Sequence, residues 1–161
     1  MIDVVVDDDL EGIFTPPDHI EEAVLAACQV SGYSGQEPEL CIRFASDDEV
    51  RQLNATWRNK DKVTDVLSFP EQVAPDFDFE DALGDIALAV PFIADEAGRL
   101  GLPQQDHALH LIVHSTLHLL GFDHIDDSDA DEMQELEREA MRLLGLHDPY
   151  PLEQKMNPEI L

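Results

Sequence analysis

The sequence predicts a single α+β domain, with about four strands in a mixed sheet and about five helices. Three observations predict it. Four short runs rich in branched and aromatic residues have strand length and composition: Ile2 to Val6, Glu39 to Ala45, Val63 to Phe69 and Leu83 to Val90. The longer segments between and after them carry apolar residues at helical spacing, punctuated by capping residues, prolines and glycines. The length of 161 residues suits one domain, and 43% of the residues are hydrophobic, which is enough for a core despite a heavy charge.

The elements follow in order. Ile2-Asp3-Val4-Val5-Val6 reads as a strand stopped by Asp7-Asp8-Asp9. Thr15-Pro16-Pro17 opens a helix that turns Ile20, Val24 and Leu25 inward and ends near Gly32. The second strand carries Leu40, Ile42 and Phe44. Ser46-Asp47-Asp48-Glu49 has the spacing of a capping box, so a helix follows through Leu53 to about Trp57. The third strand ends at Pro70, and the acidic stretch from Glu71 to Asp81 reads as a loop. After the fourth strand, Pro91 starts a helix that stops at Gly101. A helix from about Gln104 to Leu120 comes next. Ser128 then caps a last amphipathic helix with Met133, Leu136, Ala140, Leu143 and Leu144 inward, ended by Gly145. The expected organisation is one domain over 1–161, with a compact body to about residue 145 and a loose tail from about 146.

Composition narrows the classes. No run of about 18 apolar residues occurs, and no basic-then-apolar leader follows Met1, so the expectation is a cytoplasmic chain without a membrane span. Cys28 and Cys41 lack metal spacing and are expected to be small buried residues. The net charge of −27 repels phosphate backbones, which argues against broad non-specific nucleic-acid binding. Four of the nine cationic side chains nevertheless crowd into positions 51–62: Arg51, Arg58, Lys60 and Lys62.

The most informative stretch is His114-Ser115-Thr116-Leu117-His118-Leu119-Leu120-Gly121-Phe122-Asp123-His124. On a helix, His114 and His118 share a face and can reach one ion together. Gly121 can take the left-handed conformation that closes a helix, after which the chain can bring in His124. Three neutral imidazoles with one open position describe a catalytic zinc site at the C-terminal end of a central helix. His110 and His118 lie about 12 Å apart along the axis and cannot share an ion with bonds of about 2 Å. His110 is left as either a packed residue or a supporting group. His19, His107 and His147 are expected to be ordinary histidines.

The spacing His-x-x-x-His-x-x-Gly-x-x-His matches the metzincin peptidases, in which a glutamate general base follows the first histidine. Here that residue is Ser115, whose hydroxyl has no accessible pKa for the task, so peptide hydrolysis by that route is not expected. The basic cluster supplies a planar guanidinium that matches phosphate oxygens. On composition alone it is equally well a set of solvated loop charges.

Taken together, these segments resemble the YbeY family, bacterial single-domain zinc endoribonucleases of ribosome biogenesis. The residues that carry the resemblance are Asn54…Arg58, Thr64-Asp65-Val66-Leu67-Ser68-Phe69-Pro70, Leu83-Gly84-Asp85-Ile86 and His114-x-x-Leu117-His118-x-x-Gly121-x-Asp123-His124, within a likeness that runs to about Leu144. The resemblance implies one zinc ion per chain on His114, His118 and His124, with Arg58 as the functional arginine of the cleft. It implies hydrolysis of RNA phosphodiesters with a zinc-activated water. The implied role is maturation of ribosomal RNA, notably the small-subunit 3′ end, and ribosome quality control. The expected partners are ribosomal RNA, pre-ribosomal particles and ribosomal or GTPase assembly proteins, with no membrane and no DNA. Two residues depart from the family pattern: Ser115 stands where glycine is usual, and Phe122 where tyrosine is usual. The rival readings are a zinc metallopeptidase, which Ser115 argues against, and a non-catalytic ribosome-assembly factor with a structural zinc.

Overall fold

A computed structural model describes residues 1–33, 37–72, 81–122 and 127–151. The chain runs through Ile2–Val6 (β1), Ile20–Ser31 (α1), Leu40–Ala45 (β2), Asp47–Arg58 (α2), Val66–Pro70 (β3), Gly84–Ala89 (β4), Val90–Leu100 (α3), Gln104–Leu119 (α4) and Asp127–Leu143 (α5). The four strands form one mixed sheet in the order β1-β2-β4-β3. β1 and β4 both run parallel to β2, while β3 is antiparallel to β4. The α+β expectation therefore holds at the level of fold class, strand number and helix number.

Alternation along the strands builds two cores, because successive side chains leave a sheet on opposite faces. Ile42, Phe44, Ile86 and Leu88 face α1, α4 and α5, meeting Val24, Ile112, Val113, Leu117, Met133 and Met141. Ala45, Ala87 and Ala89 face the other way, where α2 contributes Val50 and β3 contributes Leu67. α4 packs against α1, α3, α5, β3 and β4. It is buried from His107 to Val113 and again from Ser115 to Leu117. On the side of α4 that carries the histidines, His107 and His110 are thus covered, whereas His114 and His118 stay partly exposed.

Several expectations need correction. α1 begins at Ile20, not at the proline pair, because His19 takes a left-handed conformation (φ 70°) that breaks the helix before it. Leu25 and Leu143, expected inward, are exposed; periodicity places a residue only to within about one step of a helix face. β3 starts at Val66 and includes Pro70, which an edge strand tolerates. Of the loop from Glu71 to Asp81, residues 73–80 lie outside the described residues. Cys28 is buried and Cys41 half-buried, and neither is in a disulfide. Burial pushes the Cys28 thiol up to about 12.

Gly84 shows why one position admits no side chain. Its φ is 146°, and a Cβ there would overlap the Phe69 carbonyl oxygen of the neighbouring strand and lie 2.9 Å from Leu119 Cδ2. The glycine lets β4 seat against both β3 and the end of α4. Among the described residues, no helix is long and apolar enough to cross a membrane.

Candidate active site

α4 ends as the glycine predicts. Gly121 has φ 99°. Its N–H donates to the His118 carbonyl at 3.0 Å, and the Phe122 N–H donates to the Leu117 carbonyl at 3.0 Å. This is the Schellman arrangement, which satisfies the orphan carbonyls of the last turn and reverses the chain. His124 and Asp123, just beyond, lie outside the described residues.

One turn apart on α4, the rings of His114 and His118 meet edge to face with centroids 4.7 Å apart. Behind them sits Glu137 of α5, only 1% exposed. Its Oε1 is 2.7 Å from His110 Nε2 and 3.1 Å from His114 Nδ1. The Tyr150 hydroxyl donates to both carboxylate oxygens at 3.1 Å. Burial pushes the Glu137 carboxyl up, but the bonds to His110 and His114 outweigh it and hold it down to about 2. An ionised Glu137 accepts from His114 Nδ1, which fixes the tautomer with the proton there and the lone pair on Nε2. Burial and the Glu137 charge push the Tyr150 phenol up, so it remains a donor.

The opposite wall comes from α2, β3 and the turn between them. Ser46 caps α2 by accepting from the Glu49 N–H at 3.2 Å. The far end of α2 closes on Asn59 in the left-handed region (φ 58°). Asn54, buried, donates through Nδ2 to the Lys62 carbonyl at 2.9 Å and so ties the basic turn to the helix. Arg51 is not part of the open charge: it is held by Asp48 at 2.9 Å and Asp61 at 2.7 Å. Along β3, Leu67 points into the core while Thr64, Asp65, Val66, Ser68 and Pro70 line the cleft.

The two walls enclose a cleft of about 710 Å³, lined by Arg58 on one side and His107, His110, His114 and His118 on the other. Three of the four residues expected from sequence, Arg58, His114 and His118, are thereby brought to one cavity. The fourth, His124, lies outside the described residues. Ser115 does not line the cleft; it is fully buried, and its hydroxyl has no hydrogen-bond partner among the described residues.

Other groups of the site were not picked out from the sequence. His107 Nε2 lies 2.6 Å from Glu96 Oε1. Burial and the neighbouring Asp65 push the Glu96 carboxyl up, against the pull of that bond. Residues 147–150, expected to belong to a loose tail, pack against α5. Arg138 donates to the Tyr150 carbonyl at 2.7 Å, and His147, Pro149 and Tyr150 line the cleft. Glu137 had a readable signal: it stands four after Met133 and three before Ala140, at a core position of α5. A carboxylate there calls for a buried partner.

Imidazoles backed by a buried carboxylate face an arginine across an open cleft, so this α+β protein presents a pocket suited to an anionic ligand. The family described as Endoribonuclease YbeY matches residues 15–145. Proteins named Endoribonuclease YbeY from Azorhizobium caulinodans and Rhizorhabdus wittichii are 42% and 46% identical, covering 94% and 81% of this chain and 96% and 85% of their own. The Stutzerimonas stutzeri protein of that name is 47% identical over 78% of this chain and 76% of its own. A solution structure from Thermotoga maritima shares the fold, with TM-score 0.55 at 20% identity, covering 94% of this chain and 99% of that one. The chain belongs to the YbeY endoribonuclease family.

Proposed function

We propose that this chain is a zinc-dependent endoribonuclease that hydrolyses phosphodiesters of single-stranded RNA during ribosomal RNA maturation. In this reading it acts at the small-subunit 3′ end and in ribosome quality control. The whole chain works as one metal-dependent hydrolase domain in the cytoplasm, on pre-ribosomal particles with their ribosomal or GTPase assembly proteins. The observation that carries the reading is the shared cleft, in which Arg58 faces His114 and His118 in a chain of an endoribonuclease family.

In this reading His114 and His118 would hold one zinc ion together with His124; among the described residues no three side chains form a complete ligand group. His114 keeps its Nδ1 proton against Glu137, so Nε2 is its ligating nitrogen, and His118 presents a second imidazole a ring's width away. His124 is the third ligand. When bound, such an ion supplies Lewis acidity towards water and phosphoryl oxygen. Arg58 holds the scissile phosphate and stabilises its added negative charge through a two-pronged, charge-assisted contact. Glu137 keeps His114 in one tautomer and orientation.

Two rival readings are disfavoured. A metallopeptidase needs a carboxylate base after the first histidine, and Ser115 is instead buried away from the cleft. A purely structural role for the metal leaves an arginine-lined open cleft and an endoribonuclease family without a purpose.

The test is metal analysis of purified protein together with cleavage of a precursor ribosomal RNA. About one equivalent of zinc and discrete 3′-end cleavage are expected. A zinc-loaded protein that leaves the precursor intact overturns the nuclease reading.

A further inference from the structure

We infer that Trp57 is a stacking platform for an unpaired RNA base, with Lys60 and Lys62 holding the neighbouring phosphates beside the Arg58 wall of the cleft. The inference rests on the RNA-cleaving reading above and adds a contact that grips the strand outside the reacting centre.

The first observation is where the indole sits. Trp57 is the only tryptophan of the chain. Counted at 100° per residue, it lies about 20° from Val50 and falls on the same helical face as Val50 and Asn54. Those two are buried under α2, yet Trp57 is 70% exposed. The inward stripe of α2 therefore runs on beyond the body and ends in a bare aromatic ring. Its chain neighbour, Arg58, lines the cleft.

The second observation is charge. Arg43, Arg51 and Arg138 are all engaged by carboxylates. Arg58, Lys60 and Lys62 are exposed, and none of them joins an ion pair among the described residues. In a chain of net charge −27, these three cations gather on one turn, while Asp61 between the lysines is taken up by Arg51. A polyanion fits them, whereas an acidic body repels nucleic acid over the rest of the surface.

The third observation is order. The Lys60 N–H donates to the Asn54 carbonyl at 3.2 Å, and Asn54 Nδ2 donates to the Lys62 carbonyl at 2.9 Å. The backbone that carries the cations is thus fastened to the helix that carries the indole. An aromatic face flanked by cations on a fixed backbone is how single strands are held without regard to sequence, since every base has a π-face and a phosphate beside it. A base locked in a duplex cannot offer that face.

Because Trp57 is the sole tryptophan, its emission reports the contact directly. Full-length protein is mixed in a stopped-flow instrument with a short single-stranded RNA or with the same sequence as a duplex. Binding is read in parallel by anisotropy of labelled RNA. We expect saturable quenching by the single strand, at the concentration where anisotropy changes, and little quenching by the duplex. Trp57→Phe should retain most of the affinity. Trp57→Ala should lose roughly ten- to hundredfold with an unchanged melting temperature. Single-stranded RNA that binds by anisotropy without altering the emission, or that binds Trp57→Ala as it binds wild type, overturns the inference. Absence of any RNA binding or cleavage by zinc-loaded wild type is a different result, which overturns the nuclease reading itself.

Discussion

The two walls of the cleft are made on opposite principles. On the α4 side, the imidazoles of His110 and His114 are tied to a carboxylate that is itself out of water, and Tyr150 caps the group. On the α2 side, Arg58, Lys60 and Lys62 stay in solvent without ion pairs among the described residues, on a backbone turn tied back to the helix through Asn54. The buried wall gains a defined tautomer and orientation, at the cost of desolvating several polar groups that must all remain partnered. The exposed wall gives up that definition and keeps a positive charge that can reach an arriving phosphate before desolvation. The contrast teaches that one protein can hold a site rigid where bond lengths matter and hydrated where capture matters.

The largest effect should come from breaking the buried wall at a proposed metal ligand. His118→Ala is expected to lose its zinc, measured by metal analysis of purified protein, and with it RNA cleavage, since two remaining ligands rarely hold a catalytic ion. Full zinc retention would remove His118 from the ligand set. On the exposed wall, Arg58→Ala should keep zinc and melting temperature while RNA cleavage slows by ~10²–10³. Arg58→Lys should recover only part of the rate, because a point charge lacks the guanidinium fork. Normal processing by Arg58→Ala would reduce Arg58 to a solvated charge.

Glu137→Gln probes the support behind the ligands. The variant keeps the shape but loses the charge, and leaving His110 and His114 short of an acceptor should cost about 1–3 kcal/mol. Zinc affinity in competition with a chelator should fall roughly 10–100-fold. The sign of the pH dependence follows from the carboxyl lying at about 2 rather than its ordinary 4.5. Its contribution is complete above the unfolded value and drains away as pH falls through the folded one. Wild type should therefore lose stability between about pH 4.5 and 2 more steeply than Glu137→Gln; equal slopes in acid melting curves would count against the network. The smallest effect is at Ser115. Replacing a buried hydroxyl that has no partner among the described residues with Ser115→Ala should raise stability by about 0.5–1 kcal/mol, visible in urea midpoints, and leave cleavage unchanged. A loss of cleavage with zinc retained would give Ser115 a role in the site.

Much of this architecture was legible because it is local. The capping serine at Ser46, the glycine turn at Gly121 and the alternating strands all follow from neighbours in sequence, and each is found. What was missed is tertiary. Nothing in the few residues around Glu137 says that His110 and His114 stand opposite, although its core position in α5 was a clue. Leu25 and Leu143 were placed inward by periodicity, but burial depends on what the body covers, and both are left exposed. The same logic runs in reverse at Trp57, which carries the inward stripe of α2 past the edge of the protein. Arg51 looked like one of four free cations until its distances to Asp48 and Asp61 showed it engaged within its own wall.

The bond from Tyr150 to Glu137 has a consequence for synthesis. A chain leaving the ribosome delivers β1 through α5 before it delivers Tyr150, and segments order as they emerge. Glu137 stands only 13 residues before Tyr150, so the two leave the ribosome nearly together, after α4 has emerged. The carboxylate is left one donor short until residue 150 arrives. The buried wall of the cleft is thus completed only when the segment after the last described helix docks on α5.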